Sequence, residues 1–176
     1  MPVVNKPSLE LSYHRPDWVF EYTKTVKHMR EVIPSSIKVC FMHVGSTAVR
    51  GLRCRPIIDL VVGVINPLDL ITVRDILNIN GYKYNEERST IFDLFLEKRG
   101  MGKQRFNIHV VAFDGPKWKD MFDYTEYLKE NPKVAKEFGN FKTELVMKRK
   151  VPYIVYEREK AKYISELLKK IRSDVK

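Results

Sequence analysis

Between Ile37 and Val64 the chain holds two apolar runs of eight residues, Ile37–Val44 and Ile57–Val64, both rich in β-branched side chains. Runs of this kind, bounded by Gly or Pro, read as strands. The segment between them opens with Gly45-Ser46-Thr47 and carries Arg50, Arg53 and Arg55. The second run holds a single carboxylate, Asp59, near its start. Glycine lets a backbone approach a phosphate closely, hydroxyls and free amides bind its oxygens, and arginine neutralises it. An Asp in an otherwise apolar strand is costly to bury unless a cation or hydrogen-bond donors meet it. Together these features point to a site for a phosphorylated, metal-bound ligand.

The rest of the pattern defines the class of fold. Pro16-Asp17 opens a helix, with Trp18, Tyr22, Thr25, Met29 and Ile33 at helical spacing and Pro34 ending it. Pro67 starts a second helix with Leu70, Val73, Ile76 and Leu77 as its apolar stripe, and Gly81 stops it. Further strands are expected over 82–85, 91–97 and 105–113, the last two separated by a Gly100-Met101-Gly102 turn. After Pro116 the period changes to helical for the rest of the chain. The first stripe there is Trp118, Met121, Phe122, Thr125 and Leu128, and the second is Val134, Phe138, Phe141 and Leu145. The last runs from Tyr153 through Tyr156, Lys160, Tyr163 and Leu167 to Ile171. The expectation is an α+β fold: a mixed sheet flanked by helices, with a helical C-terminal third. Residues 1–176 read as one domain, in which 1–115 form the first helix and the sheet core and 116–176 pack on it.

Composition narrows the partners. With 44% hydrophobic residues, 9 Phe and 9 Tyr, the chain has the material for a packed core. No apolar run approaches the roughly 20 residues of a membrane span, and no signal-peptide core is visible at the N-terminus. Cys40 and Cys54 fit no metal-binding spacing and read as reduced thiols, which fits a cytoplasmic protein without a membrane partner. A net charge of +10 favours an anionic partner, such as a nucleotide, a nucleic acid or an acidic surface. Lys148-Arg149-Lys150 and Lys169-Lys170 read as solvated helix faces. Arg50, Arg53 and Arg55 differ because they crowd one loop beside the Gly-Ser-Thr turn.

Side chains alternate across a strand, so Arg105, Asn107 and His109 share one face of the 105–113 segment, opposite Phe106, Ile108 and Val110. A half-exposed strand gives such alternation by default. Arg, Asn and His nonetheless suit anion binding, ligand orientation, and metal ligation or proton transfer. His43, at the end of the first strand, has an ordinary structural reading as a ring bonded to a neighbouring carbonyl. His14 and His28 read as surface or packing residues, and Tyr153 and Tyr156 as core. Ser and Thr after a strand also serve as plain helix caps.

Gly45-Ser46, twelve intervening residues and Asp59 in an apolar strand resemble the signature of the DNA polymerase β-like nucleotidyltransferase superfamily. More closely, residues 43–59, HVGSTAVRGLRCRPIID, resemble the GrpB family, which usually reads H-I-G-S-T-A-V-P-G-L-x-x-K-P-I-I-D here. Arg105–Val110, Phe122–Pro132 and Tyr153–Lys162 agree with it as well. The resemblance implies a nucleotidyltransferase-like sheet whose Gly-Ser turn holds a nucleotide triphosphate and whose strand carboxylate holds a divalent cation, Mg or Mn. Carried onto this chain, Gly45, Ser46, Thr47 and Arg55 would hold phosphate, and Arg105 and Asn107 would orient the ligand. Asp59 and His109 would be the catalytic residues, with Asp59, His109 and His43 as metal ligands. Arg50 stands where the family has proline, and Arg55 where it has lysine. Val61 stands where active nucleotidyltransferases carry a second carboxylate, so two-metal phosphoryl transfer lacks a bridging ligand. The expected function is binding of a nucleotide or other phosphorylated ligand, with nucleotidyl transfer to a small acceptor if it catalyses. A catalytically inactive nucleotide-binding or regulatory module is the alternative, and RNA binding a third reading that rests on charge alone.

Overall fold

A computed structural model describes residues 9–99 and 104–174. The first helix, α1 (Asp17–Val32), stops two residues before Pro34, with Ile33 already extended. Strands β1 (Val39–Val44) and β2 (Ile57–Val64) follow, then helix α2 (Leu70–Ile79), a two-residue strand β3 (Lys83–Tyr84), β4 (Leu94–Arg99) and β5 (Arg105–Ala112). Three helices complete the chain: α3 (Pro116–Glu130), α4 (Pro132–Thr143) and α5 (Tyr153–Asp174). The fold is α+β, as expected.

The five strands form one mixed sheet in the order β1-β2-β5-β4-β3. Only β2 and β5 pair in parallel; every other neighbour pair is antiparallel. On the face formed by Ile58, Leu60, Val62, Ile108 and Val110, the sheet packs against Trp18 and Met29 of α1 and Val73 and Leu77 of α2. The opposite face carries Val44, Val61 and Val111 beneath Trp118 and Met121 of α3. Tyr124 and Leu128 of α3, Ala135 and Phe138 of α4, and Leu167 and Leu168 of α5 form a third apolar cluster with Val49 and Leu52. Central strand β2 is therefore covered on both sides, and six of its eight residues lie at or below 1% exposure or are glycine. Its lone carboxylate is the exception that a functional account must explain.

Two boundaries and one buried stripe differ from the pattern. β4 begins at Leu94, not Ile91, because the backbones of Thr90 and Asp93 bond to each other and close a turn that leaves Ile91 and Phe92 exposed. α2 begins at Leu70, because the Asn66 side chain accepts from Leu68 N–H and closes a 3₁₀ turn over Pro67–Asp69. In α3 the buried residues are Tyr124, Thr125 and Leu128, while Phe122 is half exposed. The expected Gly100-Met101-Gly102 turn lies outside the described residues.

Gly63 shows how closely α3 sits. A Cβ on it would fall 2.5 Å from Trp118 Cζ3 and 2.6 Å from Cε3. Gly63→Ala is expected to cost about 1–3 kcal/mol through overpacking, measured by urea denaturation. Adding Trp118→Leu to it should recover part of that loss, since the smaller side chain vacates the collision.

Candidate functional site

Parallel pairing of β2 with β5 sets Asp59 beside Asn107, and antiparallel pairing of β1 with β2 sets Val44 on its other side. Asn107 Nδ2 donates to Asp59 Oδ1 at 2.7 Å. Directly after β1 the chain turns at Gly45, whose φ of 76° lies in the left-handed region. The turn passes so near Asp59 that a Cβ on Gly45 would stand 2.6 Å from Oδ2. Two independent reasons thus require glycine here: the dihedral and the close approach. The Gly45 N–H donates to Thr125 Oγ1 of α3 at 3.0 Å, which fixes the turn from above.

Ser46 meets a residue that the pattern reading did not single out. Lys142 of α4 is 1% exposed, and its Nζ donates to Ser46 Oγ at 2.9 Å. The ammonium lies 4.5 Å from the Phe138 ring centroid, and among the described residues it makes no ion pair with a carboxylate. Burial pushes its amine down to about 7. Nearby, burial pushes the Cys54 thiol up to about 12, so this cysteine is a packed side chain and not a nucleophile. A sequence signal for Lys142 did exist: it sits four residues after Phe138 and three before Leu145, on the face those residues bury. A cation on an apolar stripe is as anomalous as Asp59 in an apolar strand.

The other expected residues divide between local and distant partners. Thr47 is buried, and its hydroxyl lies 2.9 Å from His43 Nε2. The His43 ring stacks on Tyr22 of α1 and is pushed down to about 4 by burial, so it is neutral near pH 7. His43 pairs with Leu60 in register, which places it on the α1 face of the sheet, opposite Asp59. Arg55 forms an ion pair with Glu157 of α5 at 2.9 Å and lies 4.9 Å from the Tyr153 ring centroid. That arginine ties the loop to the last helix. Arg105 shares the Asp59 face, two residues before Asn107 on β5.

His109 lies on the Asp59 face as well, in register with Val61 and two residues beyond Asn107. Its Nδ1 is 2.9 Å from both oxygens of Asp93, a buried residue whose carboxylate also meets Lys117 Nζ at 3.3 Å. With Asp93 a carboxylate, the geometry assigns the Nδ1 proton to that bond. Asp93 has the same sequence signal as Asp59, a single carboxylate in an apolar run.

The three expected metal ligands are not brought together. His43 lies across the sheet from Asp59, and His109 stands in register with Val61 rather than beside Asp59, whose neighbour on β5 is Asn107. Val61, where a second strand carboxylate would stand, is fully buried beneath α3. No group of three or more His, Cys, Asp or Glu among the described residues could hold a metal ion. The donor set does not fit a resident two-metal centre.

The buried Lys142 has a consequence for stability. Its folded value near 7 lies below the ordinary 10.5, so the unfolded chain binds the proton more readily between those values. Stability through this group therefore rises with pH across that window. Lys142→Met is expected to raise the melting temperature at pH 6–7 relative to the parent, with the gap narrowing towards pH 10. Thermal unfolding monitored by circular dichroism at a series of pH values checks both the sign and the slope.

No helix among the described residues is long and apolar enough to cross a membrane. The "Glutamate-rich protein GrpB" of Alkalihalophilus pseudofirmus is 27% identical over 176 residues, covering 94% of this chain and 97% of that protein. The "UPF0157 protein YqkA" of Bacillus subtilis is 22% identical over 140 residues, which are 80% of this chain but 40% of that protein. The crystal structure of the conserved protein GrpB from Enterococcus faecalis superposes with a TM-score of 0.80 at 23% identity, covering 94% of this chain and 99% of that one. That likeness bears on the fold. The family model described as GrpB protein matches residues 8–170, and the chain belongs to the GrpB family.

Proposed function

We propose that the chain binds a nucleotide or a related phosphorylated small molecule, with a phosphate seated at the Gly45–Ser46 turn. The observation that carries this reading is Lys142, a buried ammonium that donates to Ser46 Oγ and makes no ion pair among the described residues. An uncompensated buried charge is expensive, and a phosphate at the turn would offset it while accepting from Ser46 and Lys142 together. Gly45 keeps the backbone low enough for the ligand to approach Asp59, and Asn107 holds that carboxylate in a fixed orientation. Arg105, on the same face, adds positive charge at the start of β5. The nucleotide is the ligand class implied by the resemblance of residues 43–59 to nucleotidyltransferases.

Calorimetry with ATP, GTP, CTP, UTP and inorganic tripolyphosphate, each with and without magnesium, tests the proposal. Binding is expected for at least one of them and should weaken roughly 10- to 100-fold in Lys142→Met, the loss of a charge-assisted hydrogen bond. Because phosphate favours the charged amine, binding should take up a proton, and affinity should fall as pH rises above about 7. Absence of heat with every ligand, or equal heat from Lys142→Met, would overturn the reading.

Whether the bound ligand reacts is a separate question. The burial of Val61 favours a module that binds without turnover, because the position of the second carboxylate belongs to the core beneath α3. Labelled product from a nucleotide and an acceptor in a substrate screen would contradict that and assign nucleotidyl transfer.

A further inference from the structure

Arg50 and Arg53 take no part in the site around Asp59. They line a separate cleft of ≈ 770 Å³ between the loop that follows the Gly45–Ser46 turn and helices α3 and α4. Tyr13, Ala48 and Pro132 contribute accessible apolar surface, above the buried Leu52, Leu128 and Ala135. Lys129 and Lys136 join the two arginines on its walls, and among the described residues no carboxylate lines it. Lys129 is paired with Glu126, but Arg50 and Lys136 make no ion pair among the described residues. Arg53 lies 4.2 Å from the Tyr13 ring centroid and donates to its hydroxyl, which gives the cleft one flat wall.

We infer that this cleft is a second binding site, for a small molecule that joins an anionic group to a flat apolar body: an aryl carboxylate or an aryl phosphate. Its volume lies within the usual range of small-molecule sites, roughly 300–1,000 Å³. Arg50, Arg53 and Lys136 have no carboxylate partner among the described residues and repel one another, and an anion between them relieves that repulsion. The accessible apolar surface of Tyr13, Ala48 and Pro132 supplies the burial that a simple inorganic anion would not use. Single-stranded nucleic acid fits the cleft less well, because successive bases need several aromatic faces and Tyr13 is the one aromatic residue lining it among the described residues. The inference does not depend on phosphate binding at Ser46, since the cleft lining includes none of Gly45, Ser46, Asp59 or Lys142.

The test is a titration of the full chain, followed by amide NMR, with 1-naphthyl phosphate, 2-naphthoate, uncharged 2-naphthol and poly(U). One or both naphthyl anions should shift the amides of residues 48–53 and 135–140 saturably below about 10 mM, and 2-naphthol should bind much more weakly. Comparing the two anions distinguishes phosphate from carboxylate as the preferred group. Arg50→Gln with Lys136→Gln, at exposed positions without ion-pair partners, should weaken binding at least about tenfold with no change in the melting curve. Lys142→Met should leave these shifts in place, which separates this site from the phosphate turn. The inference is overturned by the absence of saturable shifts, by equal binding of 2-naphthol, or by shifts centred on Gly45–Thr47 that vanish in Lys142→Met. Tighter binding of poly(U) at the same amides would overturn it in favour of a nucleic-acid surface.

Discussion

Gly45 rests against the carboxylate of Asp59, and much of the molecule is arranged to hold that contact. β1 delivers Gly45 by pairing Val44 with Asp59, and β5 steadies the carboxylate by pairing Asn107 on its other side. Thr125 of α3 accepts from the Gly45 N–H, so the helix that covers the sheet also clamps the turn. A side chain at 45 would break the approach and would meet an unfavourable backbone dihedral as well. The apolar packing of α3 on Val61 and Gly63 is the framework that keeps these polar contacts in place.

The helical C-terminal third brings in the charges. α4 carries Lys142 to Ser46 across 96 residues of sequence, and α5 carries Glu157 to Arg55 across 102. The two cations play different parts. Arg55 is neutralised within the fold and serves as a strut between loop and helix. Lys142 lacks such a partner among the described residues, and its burial costs stability that apolar packing would not. A buried cation that destabilises the free protein beside a glycine turn is the pattern expected of a binding site rather than of a core. Arg50 and Arg53, three residues apart in the same loop, point that loop's remaining charge into a different cleft.

Much of the fold was legible in the residues because periodicity reports burial directly. The alternation of Arg105, Asn107 and His109 with Phe106, Ile108 and Val110 identified both faces of β5, and the apolar run at 57–64 identified the central strand. Periodicity misled at Ile91 and Phe92, where apolar residues occupy a turn tip closed by Thr90 and Asp93. For the candidate site, alternation assigns a face but not a neighbour. That Asn107 stands beside Asp59 while His109 stands beside Val61 follows from the parallel register of β2 and β5, which no local pattern encodes. His43 illustrates the same limit: its place at the end of β1 was plain, but its side of the sheet came from pairing with Leu60. Lys142 and Asp93 each break an apolar pattern, but lysines and aspartates are common and only tertiary contact reveals which are buried.

The most direct measurement is an NMR titration of the Lys142 ε-position, in the free protein and with saturating tripolyphosphate. Phosphate binding at the Ser46 turn predicts a midpoint near 7 in the free protein and a clear rise when the polyanion is bound. An ordinary midpoint near 10.5 in the free protein, or one that polyphosphate leaves unmoved, would contradict it.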